Sequence, residues 1–342
     1  MKLQASSRGS RCAYRIPAAG RIPAAGLAFC FAALMTAAFL TPADVRAQAD
    51  EAAEPEEGVP FPDRPKAPGF VLADAGFKTP ESVLCDMRGD LYLVSNVNGS
   101  PLAHDDNGFI SRVSPHGKVL EIAWIDGRKD GVRLHAPKGM ALRADELYVA
   151  DIDTIRVFSR VSGAPQRSIG IPGAQFLNDI VAAVDGTLFV SDMGTGSIHR
   201  ITREGELSLL IQSPAIGKPN GIALRNDTLW VARMDAARVA AVSMSGQVVR
   251  EIQVPAAQLD GLVVLRNGNL LVSSWEGQAV YRLDRTGPAE AVFTGLTAPA
   301  DIGFDMGRRY VLIPFFNDNR IEARPLPPRA RPEGRRRGGP RD

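Results

Sequence analysis

From residue 70 to residue 325 the apolar positions of this chain fall in short, turn-bounded runs rich in β-branched residues, and nothing of comparable length carries a 3.6-residue apolar period. One set of runs covers residues 91–95, 147–151, 188–192, 229–233, 270–274 and 310–314. The first five close on a polar residue: Ser95, Asp151, Asp192, Arg233 and Ser274. A second set follows at 110–114, 155–159, 198–202, 239–243, 280–284 and 320–324. Ahead of each pair stands an element of one plan: Pro or Leu, a polar residue, often Gly, then apolar residues. The polar residues at that position are Glu81, Lys138, Asn178, Asn220, Asp260 and Asp301, separated by 57, 40, 42, 40 and 41 residues.

Units of about forty residues with three or four strands each are the signature of radially placed blades. The chain is therefore predicted to be all-β, a six-bladed β-propeller over residues 67–325. The last unit has only three strands before Pro325, so residues 70–73 are expected to supply its fourth strand and close the ring without an exposed edge. A β-helix is the structural alternative, although its repeat is usually shorter. The long first interval places insertions at residues 98–108 and 127–135.

Charge matters only by segment. Residues 1–49 carry six Lys or Arg against Asp44, residues 50–64 are strongly acidic, and the end from Arg329 is basic again, leaving the repeats nearly neutral. Nothing there argues for a nucleic-acid surface. The arginines at 8, 11, 15 and 21 precede an uninterrupted apolar run at 27–40 followed by small residues, which reads as an export signal cleaved after Ala47 or Ala49. As a helix that run would be about 21 Å long, short of a hydrocarbon core of roughly 30 Å. Removal is favoured over a retained anchor, and the near-duplicate at Ile16 and Ile22 allows a start further downstream. Cys12 and Cys30 would leave with the signal, so Cys85 alone remains and no internal disulfide forms. The organisation is then a signal peptide at 1–49, an acidic Pro-rich linker at 50–66, the propeller, and a basic Pro/Arg-rich tail at 326–342. A soluble periplasmic or secreted product is expected, with no stable membrane insertion after signal removal.

In a propeller the innermost strands line a central channel, so the six repeat positions converge. Their carboxylates and amides suit a hard divalent cation, calcium above all, whereas zinc would prefer His or Cys. Lys138 would balance charge or orient an anionic substrate. Arg233, on the rim, and His104, in the first insertion, face the same side and complete the candidate substrate contacts. Asp151, Asp179 and Asp192 are expected to hydrogen-bond between blades. The competing reading makes the Asn-Gly and Asp-Gly pairs simple turn formers, but Glu81 and Lys138 are not turn residues. Gly-x-Ser-x-Gly, Gly-x-x-x-x-Gly-Lys, His-Glu-x-x-His and Cys-x-x-Cys-His are all absent, which demotes serine-hydrolase, nucleotide and haem chemistry.

With Pro80-Glu81-Ser82, Leu177-Asn178-Asp179, Pro219-Asn220-Gly221 and Leu259-Asp260-Gly261 in order, the chain resembles the gluconolactonase/regucalcin (senescence marker protein) superfamily of six-bladed propellers over about residues 70–325. The resemblance implies that Glu81, Asn220 and Asp260 bind the divalent ion and that Asn178 lies beside ion and substrate. It implies metal-assisted hydrolysis of a lactone or other ester, a small-molecule substrate, with Asp260 as the carboxylate that assists water. One departure stands out: sugar-lactonase members carry Arg two residues before the Asn of Asn-Asp, and here that residue is Phe176. The alternative is a non-catalytic propeller that binds a ligand or protein on its top face.

Overall fold

Short alternating strands joined by polar turns pair with their nearest neighbours in sequence, and here they do so six times over. The computed structural model describes residues 69–284 and 288–329, which fall in the unit Phe61–Asp342. The expected signal segment, the acidic linker and the tail beyond residue 329 lie outside the described residues. Those residues form six four-stranded antiparallel sheets and no helix, so none is long and apolar enough to cross a membrane. The fold is the predicted six-bladed β-propeller.

The innermost strands of blades 1 to 5 are Pro80–Asp86, Pro137–Arg143, Leu177–Ala182, Pro219–Arg225 and Leu259–Val264, and that of blade 6 is Gly303–Asp305. Ring closure is as expected. Phe70–Leu72 pairs antiparallel with Arg320–Pro325 as the outermost strand of blade 6, with Phe70 opposite Ala323. A second seam closes the inner circle, where the backbone N–H of Asp301 donates to the Glu81 carbonyl at 2.8 Å. The core is divided into six large interblade clusters, each shared by two neighbouring blades, and a small seventh of Val97, Ala136 and Ile152. One joins Val149 to Leu93, for instance, and another joins Leu312 to Val94 across the closure. Each blade thus buries its apolar face only against the next, and the circle is complete only when all six are in place.

The repeated polar residues are not turn residues. In blades 2 to 5 the first residue of the innermost strand pairs with the last residue of the second strand, Pro219 with Arg233 and Leu259 with Ser274. Pairing then skips and resumes at Ile222 and Leu262. This bulge swings the intervening side chain out of the sheet and toward the channel axis. The Gly after it serves close approach rather than a left-handed turn. A Cβ on Gly221 would lie 2.2 Å from the carbonyl oxygen of Asp260, and one on Gly261 would lie 2.1 Å from the Ile302 nitrogen. The turn-former reading of Asn220-Gly221 and Asp260-Gly261 is corrected accordingly.

Only part of the blade-to-blade expectation for the aspartates holds. Asp179 does bridge blades, its carboxylate accepting from the Ile222 N–H of blade 4 at 2.7 Å. Asp151 and Asp192 instead fasten the segment that enters their own blade: Asp151 accepts from the backbone N–H groups of His135 and Ala136, and Asp192 from those of Gln175 and Phe176. They sit at strand ends beside unpaired N–H groups, which a carboxylate satisfies locally. Bridging between blades falls to serines, with Ser191 Oγ donating to the Asn220 carbonyl at 2.7 Å and Ser273 Oγ to the Ala300 carbonyl at 2.8 Å.

Candidate functional site

Five bulged strand ends and, in blade 6, the segment just ahead of Gly303–Asp305 deliver six polar side chains to the axis, and all six are buried, Lys138 to 1% exposure and Asn220 likewise. Five of them, Glu81, Lys138, Asn178, Asn220 and Asp260, line one pocket of about 170 Å³. The sixth, Asp301, lines with Asp179 a neighbouring cavity of about 250 Å³ bounded by innermost-strand residues of all six blades. In its first cavity the channel brings together the three residues assigned to a metal, the one assigned beside it, and the candidate lysine.

The hydrogen-bond inventory of that pocket is unusual. Glu81 Oε2, Asn178 Oδ1, Asn220 Oδ1 and Asp260 Oδ1 are each buried without a hydrogen-bond partner, and among the described residues only one other side-chain oxygen, Asn107 Oδ1, shares that condition. A buried unpaired polar atom costs about 1–3 kcal/mol, more when charged. Four gathered in one pocket are oxygen donors facing an absent partner. Two carboxylates and two amide carbonyls form the hard, all-oxygen set that calcium or a similar ion takes, completed by water. No three His, Cys, Asp or Glu side chains are grouped to hold a metal among the described residues, so a thiolate- or imidazole-rich centre has no support in them. The residues present fit a hard divalent cation.

Electrostatics lead to the same conclusion. Burial, then the Asp260 and Asp301 carboxylates, push the Glu81 carboxyl well above the usual carboxylate range, against the pull of Lys138. Burial and Asp301 raise Asp260, and the nearby Trp275 indole, which forms no hydrogen bond of its own, tempers it by proximity. Burial and Asp301 likewise raise Asp179, while burial brings Asp301 up to about 7 against a hydrogen bond from Ser82. Lys138 is pushed down to about 8 by burial, against the attraction of Glu81 and Asp151. Its Nζ donates to the Ala136 carbonyl at 2.9 Å and lies 4.8 Å from the centre of the Phe176 ring. The buried ammonium of Lys138 is drawn to Glu81 and Asp151, while Asp179, Asp260 and Asp301 crowd Glu81 without an ammonium of their own.

Raised carboxyl groups stabilise a fold while they are protonated. Their contribution is complete below about pH 4 and is lost as pH climbs through the folded value, about 7 for Asp301 and well above the ordinary range for the other three. His199, lowered by burial, works in the opposite direction near its ordinary value of 6.5, and Lys138, lowered to about 8, begins to do so only at the top of this window, two groups against four. Chelated protein is therefore expected to melt several degrees higher at pH 5 than at pH 8, and added calcium to raise the melting temperature more at pH 8. Thermal melts at the two pH values check this, and an equal or higher melting temperature of the chelated protein at pH 8 would contradict it.

Two predicted contacts lie elsewhere. His104 is exposed on the first insertion, its ring 4.9 Å from that of His135 in an edge-on arrangement, and it does not line the pocket. The insertion reaches the pocket through Pro101 instead, and Asp106 fastens it by accepting from the Leu134 N–H while its own N–H donates to His135 Nδ1. Arg233 is occupied by Asp235 and by the Ala215 carbonyl at 3.0 Å; its successor Met234 is the residue that lines the pocket.

The wall residues were not anticipated apart from Phe176. Val97, Met193, Met234, Trp275 and Phe316 each follow directly on the end of a second strand, and the last four recur at intervals of 41 residues. Blade 2 has Ile152 at this position, buried against Val97 and Ala136. The backbone N–H of each of the five wall residues donates to the carbonyl of the residue just before, or in blade 6 shortly before, its blade's innermost strand: Met193 to Phe176 at 2.9 Å, Trp275 to Gln258 at 3.0 Å. This fixes an apolar collar in register with the oxygen ring.

No family model matches the chain, and no curated protein does. Solved structures do. A gluconolactonase from Xanthomonas campestris superposes with a TM-score of 0.60 at 19% identity, over 76% of this chain and 90% of that one. Virginiamycin B lyase from Staphylococcus aureus gives 0.56 at 18% identity, over 75% and 98%. A chain of a nidogen/laminin complex gives 0.50 at 20% identity, over 60% and 76%. At these identities the likeness establishes the fold: a six-bladed propeller whose structural neighbours include a gluconolactonase and a lyase.

Proposed function

We propose that this propeller is a divalent-cation-dependent hydrolase of a small lactone or other ester. The observation that carries the reading is the set of four buried, unpartnered oxygens converging in one pocket. Glu81, Asn220 and Asp260 would hold the ion, most suitably calcium, with Asn178 beside it. A bound divalent cation supplies charge stabilisation for a carbonyl oxygen as it becomes an oxyanion. The rest falls to the chain. Asp260 takes a proton from the attacking water as the water oxygen bonds to the acyl carbon. The acyl C–O bond then breaks, and the proton passes to the departing alkoxide, leaving an acid and an alcohol on one molecule when the substrate is a lactone. The Asn178 side chain orients the carbonyl, and the buried Lys138 ammonium offsets the negative charge that develops. Similarity of fold to a gluconolactonase supports this reading, and the N-terminal signal pattern supports export to the periplasm or beyond.

Metal analysis of the full chain, purified with and without chelator, tests the reading together with a panel of esters and lactones. One divalent ion per chain is expected, with hydrolysis lost on chelation and restored by calcium. A chain that binds the ion yet hydrolyses nothing would favour the non-catalytic alternative, and one that binds no ion would overturn the proposal.

A further inference from the structure

The pocket separates its chemistry by depth. The four oxygens are buried, while Phe176, Met193, Met234, Trp275 and Phe316 are half-buried and so form the passage between those oxygens and solvent, with Val97 and Pro101 completing the wall. Apart from the Trp275 indole N–H and the weakly accepting methionine sulfurs, none of these seven side chains offers a hydrogen-bond donor or acceptor. Trp275 and Phe316 pack against each other with ring centres 5.3 Å apart, and Phe176 is engaged by Lys138. The collar is rigid in its aromatic half and adaptable at its two methionines.

From this division we infer the substrate class of the hydrolytic site proposed above, on which the inference rests: a compact apolar lactone or ester, with about one apolar ring beside its acyl group, rather than a polyhydroxylated sugar lactone. Size supports it. A dry apolar cavity of about 150 Å³ accepts a benzene ring, and this pocket measures about 170 Å³. Polarity supports it as well. A sugar lactone bound with its carbonyl at the oxygens would press several hydroxyl groups against Met, Phe and Val side chains that cannot pair with them, and unpaired buried hydroxyls weaken binding severely. An aryl or alkyl lactone buries only carbon there. Phe176 adds to this, standing where the resemblance places a sugar-holding Arg.

The experiment compares dihydrocoumarin with glucono-δ-lactone as substrates of the calcium-loaded full chain. It also compares their lactam analogues, 3,4-dihydroquinolin-2-one and gluconolactam, as ligands followed by calorimetry and indole fluorescence. The expected result is a kcat/KM preference for dihydrocoumarin on the order of 100-fold and measurable binding of the quinolinone lactam alone. Replacing Met193→Gln and Met234→Gln together should weaken that lactam about tenfold with ion stoichiometry and melting temperature retained. If the quinolinone lactam binds but neither lactone is hydrolysed, the hydrolytic reading falls and the apolar specificity stands. If glucono-δ-lactone is preferred, or gluconolactam binds more tightly, the inference is overturned while hydrolysis survives. Binding of neither lactam also overturns it.

Discussion

Replacing Asp260 with Asn is expected to make the chelated protein more stable and the loaded protein nearly inactive. Asp260 is buried among Glu81, Asp179 and Asp301, and its own carboxyl is raised by burial and by Asp301, so in the absence of a cation its charge destabilises the fold. An amide keeps the shape, removes that charge and leaves an oxygen in place. Under the proposed function the same change removes one of two negative donors from the ion site and the group that would accept the proton of water. Divalent-ion affinity should fall by roughly 10–100-fold and kcat by on the order of 10³-fold. Melting curves with chelator, ion titration and initial rates on one preparation check the three effects. A purely structural Asp260 would give the opposite pattern, with lower stability and unchanged ion binding.

Gly221→Ala is expected to cost about 3 kcal/mol or more and to lower the melting temperature by on the order of 10 °C. The added carbon would meet the Asp260 carbonyl oxygen at 2.2 Å and the Leu262 nitrogen at 2.8 Å. Both are backbone atoms of the adjacent innermost strand, so relief requires blades 4 and 5 to part, and Asp260 moves with blade 5. Ion binding should therefore weaken along with stability. Gly170→Ala is the control: it lies on an outermost strand with nothing within 4 Å of the added carbon and should be nearly neutral. Equal melting temperatures for the two variants would show that the innermost strands are not packed as described.

The ring was legible because a fold built from one repeated unit writes its geometry into sequence spacing. A recurrence near 40 residues placed Glu81, Lys138, Asn178, Asn220 and Asp260 on one axis before any coordinates, and the shortage of a strand in the last unit pointed to residues 70–73 as its partner. What the spacing could not convey was conformation within a unit. Asn-Gly and Asp-Gly suit a turn and a bulge equally, and only the approach of the neighbouring strand decides between them. Arg233 ends its strand and His104 lies in the first insertion as expected, but the pairing of Arg233 with Asp235 and the edge-on contact of His104 with His135 depend on loop paths that local sequence does not specify. The collar was visible in the 41-residue recurrence of Met193, Met234, Trp275 and Phe316. It is easily passed over, because an apolar residue after a strand normally signals packing alone.

The proposed function depends on a cation binding among four oxygens, and its position can be tested directly. Crystals of the full chain grown with Mn²⁺ as a stand-in for calcium, measured with anomalous scattering, should show one strong peak in the channel. Oxygens of Glu81, Asn220 and Asp260 should lie about 2.0–2.6 Å from it. A channel without a peak at saturating Mn²⁺, with those oxygens bonded to ordered water alone, would contradict the account.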